Sequence, residues 1–176
     1  MGCVPNRLGI YEVASHLNTN SKMESLVFQV KGFQELTNDE LYGIMVIRQE
    51  VFSVEQNCPY LDADGLDQGA FHVLGTVKGM GLVAYSRLCP KGVSYSDYVS
   101  ITRVVNKIGV RGKGVGRKLM DFNMSYMNRH FKEMPIKISA QTYLTAFYQS
   151  YGFQTVGESY LEDGIPHIAM IHLNGQ

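Results

Sequence analysis

The stretch from Ser100 to Phe131 limits the fold more than any other part of the chain. A β-branched apolar run, SITRVVNKIGV (100–110), leads without a break into RGKGVGRKLM (111–120), where three glycines and four basic side chains share ten positions. Val115, Leu119, Phe122, Met127 and Phe131 then recur at helical spacing until Pro135 ends the run. A strand, a tight loop and a helix start, in that order, gather the backbone N–H groups of residues 112 to 117 at a helix N-terminus. Those donors lack intrahelical partners and the helix dipole adds to them, so the loop suits an anion. Glycines remove the Cβ atoms that would hold a pyrophosphate off, and Arg111, Lys113 and Arg117 add charge beside it.

Three phosphate-cradling patterns compete for this loop, against the plainer alternative of a solvated basic turn opening a helix. A P-loop needs Gly-Lys followed by Ser or Thr, and no Gly-Lys here has that sequel. A dinucleotide fingerprint needs G-x-G-x-x-G, whereas Gly112, Gly114 and Gly116 are one residue too close together. The strand before them also comes late in the chain. The third pattern, R-x-x-G-x-G, is matched by Arg111, Gly114 and Gly116.

Around this unit the punctuation predicts one domain. SLVFQVKGF (25–33) alternates as a strand, and Thr37 with Glu40 forms a capping box before a helix that fades near Gln56. AFHVLGTV (70–77) and GLVAYSRLCP (81–90) read as an antiparallel pair turning at Lys78-Gly79. IKISA (136–140) is a short buried strand, TYLTAFYQSY (142–151) a helix, and PHIAMIHL (166–173) a last strand after a turn at Asp163-Gly164. The order β-α-β-β-β-α-β-α-β predicts an α/β (α+β) fold with one mixed sheet flanked by helices. Residues 1–22 read as an N-terminal extension, and 23–176 as the folded domain.

Sixteen basic residues balance sixteen acidic ones, so no global charge draws the chain to nucleic acid or to a membrane surface. Cys3, Cys58 and Cys89 are odd in number with no C-x-x-C pair, which predicts neither a disulfide framework nor a zinc knuckle. A cytoplasmic setting is the simplest expectation. Gly2 and Cys3 suggest acylation, but Asn6 stands where that signal needs Ser or Thr.

The glycine loop and its strand resemble the acetyl-coenzyme A pyrophosphate loop and fourth strand of the GNAT superfamily of N-acetyltransferases. LTAFYQSYGF (144–153) is similar to that family's a-x-x-F-Y-x-x-x-G-F segment. LYGIMVIRQEVFSVEQNCPYLDADGLD and GESYLEDGIPHIAM are similar to its ElaA-like branch, and together the four segments span about residues 25 to 173. The resemblance implies a single GNAT-type domain, mostly antiparallel, splayed between strands 4 and 5. It implies acetyl-CoA as co-substrate, no metal, and transfer of the acetyl group to a primary amine. The backbones of Val104, Val105 and Asn106 would face pantetheine and the thioester carbonyl. Arg111, Gly112, Lys113, Gly114, Val115, Gly116 and Arg117 would hold the pyrophosphate. Tyr148 aligns with the tyrosine that protonates the leaving thiolate, with Tyr143 and Tyr151 nearby, and Gln141 stands where many relatives carry a cofactor-touching Asn.

No cysteine adjoins the matched active-site segments, which favours direct transfer over a covalent acetyl-enzyme. Glu158, Glu55, His72 and His167 are all candidates for the general base, and the sequence leaves that choice open. His167 and His172 fall on opposite faces of a strand and cannot share a metal. DADGLD (62–67) departs from an EF-hand, with Gly65 fourth and Val73 twelfth. It reads as a solvated acidic turn, or as Asp62, Asp64 and Asp67 attracting a cationic amine, with Arg48 pairing one of them. Two other readings stand beside the transferase: a non-catalytic acyl-CoA-binding or sensor module on the same fold, and an acyl-homoserine lactone synthase suggested by IRQEVF. The acceptor is a small-molecule or peptide amine, and an exposed final strand leaves a homodimer open.

Overall fold

The structure, a computed structural model, describes residues 10–11 and 26–173. The extension predicted over 1–22 lies outside the described residues except for Ile10–Tyr11, which pair antiparallel with Gln29 and Phe28. Beyond that pair, the first sheet runs β1 (Leu26–Gly32), β2 (Phe71–Val77), β3 (Gly81–Cys89) and β4 (Ser100–Asn106), each antiparallel to the next. A second sheet holds β5 (Ile136–Gln141), β6 (Gln154–Glu162) and β7 (Ile165–His172) in the order β5-β7-β6.

Helix α1 (Asn38–Arg48) starts as its capping box predicts: Thr37 Oγ1 accepts from the Glu40 amide, and Glu40 Oε2 accepts from the Thr37 amide. It continues as a seven-residue π-helical segment, Gln49–Glu55. Helix α2 (Val115–His130) follows the glycine loop, and the short α3 (Thr145–Gln149) follows a 3-10 turn after β5. The first sheet lies between α1 and α2. Neighbouring residues on β2 point to opposite faces, so Val73 joins the α2 core while Leu74 joins Ile44, Ile47 and Val51 of the α1 side. Burial on both faces is why β3 reads as an almost continuous hydrophobic run. Leu119, Met120 and Met127 of α2 are fully buried, each contributing about 1.5–3 kcal/mol by leaving water.

Strand pairing joins the two sheets at one point. Val99 and Ile136 form a single parallel bridge, and Ser100 Oγ donates to the Lys137 carbonyl at 2.6 Å. Beyond that pin β4 and β5 share no ladder, so the strands splay between β4 and β5, as the resemblance implies, into two sheets in a V that opens toward the C-terminal ends of both strands.

The last strand departs from expectation. β7 lies in the middle of the second sheet, so it is not an exposed edge; β6 is, and every residue of β6 is exposed. Exposure on both faces also leaves β6 without an apolar alternation that would mark it in the sequence. Its register is fixed by the two-residue turn Asp163-Gly164, both at positive φ, as a type I′ turn requires. Further along, a bulge at Gly157–Ser159 sets three residues against Ile168 alone.

Candidate active site

A cleft of about 800 Å3 occupies the V. One wall is the open edge of β4, and the other is the face of β5, β7 and β6. The π-helical segment after α1 crosses its mouth. It ties to the glycine loop through Glu55 and Arg111, whose paired contacts are 2.5 and 2.8 Å, and to the tip of β5 through Gln141 Nε2 and Gln56 Oε1 at 3.0 Å. The same passage is held at the β6–β7 turn, where the Cys58 thiol donates to the Asp163 carbonyl at 3.3 Å. π-Helical insertions of this kind often mark functional sites.

The residues predicted for the donor side are brought together. Val104, Val105 and Asn106 line the cleft along β4, with Gly116 and Arg111 at one end and Gln141 and Tyr148 on the other wall. A β-bulge lies at the centre of this edge: Arg103 and Val104 together oppose Ser86, and Arg103 sits at φ 52. The Val105 side chain packs into the α1 core while its backbone remains on the open edge. Gly112, Lys113, Gly114 and Arg117 are exposed around the helix start, and Val115 is buried beneath it, so Val115 offers the site only its backbone. Lys113 Nζ caps the Gly109 carbonyl at 3.1 Å, and the Arg117 guanidinium lies over Phe147.

The site fits an acyl-coenzyme A in three respects. Gly114 caps α2 at φ 75 without a side-chain cap, and a Cβ there would meet open space, so the first-turn amides stay accessible to an anion. At Gly116 a Cβ would come within 2.9 Å of Asn106 Nδ2, so any larger residue there would push the Asn106 amide from its place. The Asn106 Oδ1 is buried without a hydrogen-bond partner among the described residues, an acceptor waiting for a donor such as a ligand amide.

Tyr148 is 7 % exposed and wedged edge-on against Phe147 and Phe153. Burial, with a smaller contribution from Tyr143, pushes its phenol up to about 12. Its neighbour Tyr151 is engaged elsewhere, donating to the Arg117 carbonyl and Asp121.

Of the four candidate bases, two lie outside the cleft. His72 is fully buried behind β3, bonded to the Tyr85 hydroxyl (2.9 Å) and the Asp67 carbonyl (3.0 Å), and burial lowers its pKa. Glu158 belongs to the bulge of β6 and does not reach the cleft. Had the register set by the turn continued, Glu158 would stand opposite Ala169 on the same side as Tyr160. Glu55 reaches the mouth, but its bidentate bond to Arg111 lowers its pKa and occupies its oxygens. His167 lines the cleft. Its Nδ1 faces the Ile165 carbonyl at 2.8 Å, and a carbonyl only accepts, so Nδ1 carries a proton, and in the neutral ring Nε2 holds the lone pair.

The acidic loop is neither solvated nor free to attract an amine. Arg48 bonds Asp62 and Asp67, Arg87 grips Asp64 with two contacts of 2.7 Å and also reaches Asp67, and Arg103 bonds Asp62 and Asp64. Three guanidinium groups therefore neutralise three carboxylates and staple the loop to α1, β3 and β4. No group of His, Cys, Asp or Glu among the described residues is placed to hold a metal. A cysteine does approach the site: Cys58 forms part of the cleft wall, 6 % exposed, as a thiol donor.

Sequence reasoning missed one constellation. Ser139, Tyr160 and Glu162 line the cleft beside His167, and the Ser139 hydroxyl lies 2.6 Å from Tyr160 Oη and 2.7 Å from Glu162 Oε2. Finding it requires β6, the strand with no sequence signature.

A V-shaped cleft between two sheets, with a glycine loop and helix N-terminus at one end, defines an acyl-CoA N-acyltransferase architecture. Residues 64–173 match the acetyltransferase (GNAT) domain, and the chain belongs to the GNAT family. Within it the chain falls in the ElaA-like branch. It is 44% identical over 138 residues to protein ElaA of Escherichia coli, spanning 77% of this chain and 89% of that protein. Its fold is similar to the crystal structure of an acyl-CoA N-acyltransferase from Pseudomonas aeruginosa, with TM-score 0.79 and 42% identity, over 84% of this chain and 99% of the other. The crystal structure of Escherichia coli ElaA is similar at TM-score 0.77 and 40% identity, with the same coverage. No helix among the described residues is long and apolar enough to cross a membrane.

Proposed function

We propose that this chain is an N-acetyltransferase that passes the acetyl group of acetyl-coenzyme A to a primary amine by direct transfer. One observation carries the reading: a proton-bearing phenol, an unsatisfied buried acceptor and an open strand edge share one cleft whose end is a helix N-terminus. Acetyl-coenzyme A supplies the electrophile, a thioester carbonyl. The loop from Arg111 to Arg117 binds phosphate through backbone amides and charge. Backbone N–H groups near the β4 bulge polarise the acetyl carbonyl. Tyr148 holds a proton at Oη and delivers it to sulfur as the carbon–sulfur bond breaks. The incoming ammonium gives one proton to His167 Nε2 before its nitrogen bonds carbon, and the second proton that this nitrogen sheds on becoming an amide restores the Tyr148 phenol. We place the reaction in the cytoplasm, because the described cysteines, Cys58 and Cys89, are both free.

Calorimetric titration with acetyl-coenzyme A, run on the wild type and on Gly114→Glu, tests the reading. Binding by the wild type and its loss in the variant are expected, since a carboxylate at that φ strains the loop and repels phosphate. A wild type that binds nothing would end the enzyme reading.

A further inference from the structure

We infer that the cleft contains a recognition pole for a primary alkylammonium group, formed by Tyr160, His167 and Glu162 around Ser139. The inference deepens the transfer reading above and rests on it for the chemistry that follows binding. Its own basis is strand register and hydrogen-bond accounting.

Gln141 pairs with His167 across β5 and β7, and His167 pairs with Tyr160 across β7 and β6. The three side chains therefore stand in one row across the second sheet. Ser139 and Glu162, two residues away from Gln141 and Tyr160 on their strands, share that face. The Tyr160 and His167 rings stack at 6.4 Å between centroids.

Proton positions follow from what each atom can do. An ionised Glu162 only accepts, so the single Ser139 proton goes to Glu162 Oε2. The Ser139–Tyr160 contact must then be donated by the tyrosine. His167 spends its Nδ1 proton on the Ile165 carbonyl. What remains is a set of acceptors: a lone pair on Tyr160 Oη, the Nε2 lone pair of His167, and the carboxylate of Glu162. A hydroxyl offers one donor to such a set and a carboxylate none. An ammonium offers three and brings the charge that Glu162 lacks a partner for.

Charge accounting agrees. Asp64 and Glu55, the other carboxylates placed along the cleft with Asp163, are bonded to Arg87 and Arg103 and to Arg111. Glu162 and Asp163 have no Lys or Arg partner within 4 Å among the described residues. Lys137, on the same strand face as Ser139, lays its Nζ over the Tyr95 ring at 4.7 Å. Leu61 and Ile165 supply apolar wall for an alkyl stem. The pole thus selects an aliphatic primary amine in its cationic form over an arylamine, which is neutral near pH 7.

The test compares wild type with Glu162→Gln, using cadaverine, a short lysine-containing peptide with a blocked α-amine, and aniline as the neutral control. Acetylation of cadaverine or the peptide is expected, with KM for that amine raised roughly tenfold or more in the variant. Which of the two is the better substrate tells a free amine from a lysine side chain. Affinity for acetyl-coenzyme A should stay within twofold, which also shows that the variant is folded. Unchanged KM for the alkylamine overturns the pole, and so does preference for aniline. A second readout needs no donor: the imidazole 15N resonances of His167 during cadaverine titration should shift in wild type and not in Glu162→Gln. If the wild type fails to bind acetyl-coenzyme A, or acetylates none of the amines, the transfer reading falls and this titration alone decides the pole. No shift in the wild type overturns it.

Discussion

Arg48 donates from Nε to Asp62 Oδ2 at 2.7 Å and from Nη2 to the Asp62 carbonyl at 2.8 Å, and the two side chains are only 1 % and 4 % exposed. The pair anchors one corner of a network that also holds Asp64, Asp67, Arg87 and Arg103. Removing one member leaves a buried opposite charge without compensation. Asp62→Ala should therefore cost about 3–5 kcal/mol, read as a lowered urea midpoint. A loss below about 1 kcal/mol would mean that the network adds little to the fold.

Asp64 gives the network a pH signature. Burial by itself raises its pKa, but the bidentate Arg87, the Leu66 amide and Arg103 outweigh it and bring the carboxyl from its ordinary 3.8 down to about 2. A depressed folded pKa means stability that is fully present above pH 4 and is lost as pH falls through about 2. Urea midpoints measured from pH 5 to pH 2 should fall across that window. Asp64→Asn should be less stable at pH 5 and show a flatter fall; equal slopes would contradict the assignment.

Tyr148→Phe keeps the ring packed against Phe147 and Phe153 while deleting the hydroxyl. General acid catalysis contributes about a hundredfold to ten-thousandfold, so turnover should drop by at least the lower figure. Binding of acetyl-coenzyme A should move less than twofold. Steady-state kinetics beside calorimetry separates the two, and unchanged turnover would remove Tyr148 as the acid.

Glu55 holds Arg111 at the cleft mouth, in a half-exposed pair. Glu55→Gln releases the guanidinium toward phosphate and removes a negative charge from beside the loop. Affinity for acetyl-coenzyme A should rise by at most about fivefold at low salt, and the gain should shrink as salt screens it. Weaker binding in the variant would show instead that Glu55 positions Arg111 for the ligand.

The cleft wall proposed for the donor was legible in the sequence because its determinants are contiguous. Glycine spacing, a capping box at Thr37 and the offset from Tyr148 to Gly152-Phe153 all lie within ten residues of one another in their own segments. The wall proposed for the acceptor was not. β6 carries Gln154, Thr155, Gly157, Glu158 and Ser159, is exposed throughout, and is held by backbone pairing with β7, which leaves no hydrophobic period to read. The acidic loop was legible only in its pairing with Arg48, for a related reason. Asp62 and Asp64 find Arg103 some forty positions downstream, a separation at which spacing says nothing. Glu158 looked eligible until the bulge took it out of register.

Strand pairing joins the two sheets only at Val99 and Ile136, while α2 packs both into one core. Amides on the edges of β4 and β5 that face the V have no ladder partner, so they should exchange with solvent by small local openings, ahead of global unfolding. A ligand seated between the walls and touching both would suppress those openings. At a hundred times its dissociation constant such a ligand adds about 2.7 kcal/mol. The amides left unpaired along the V are thus the ones such a ligand would protect.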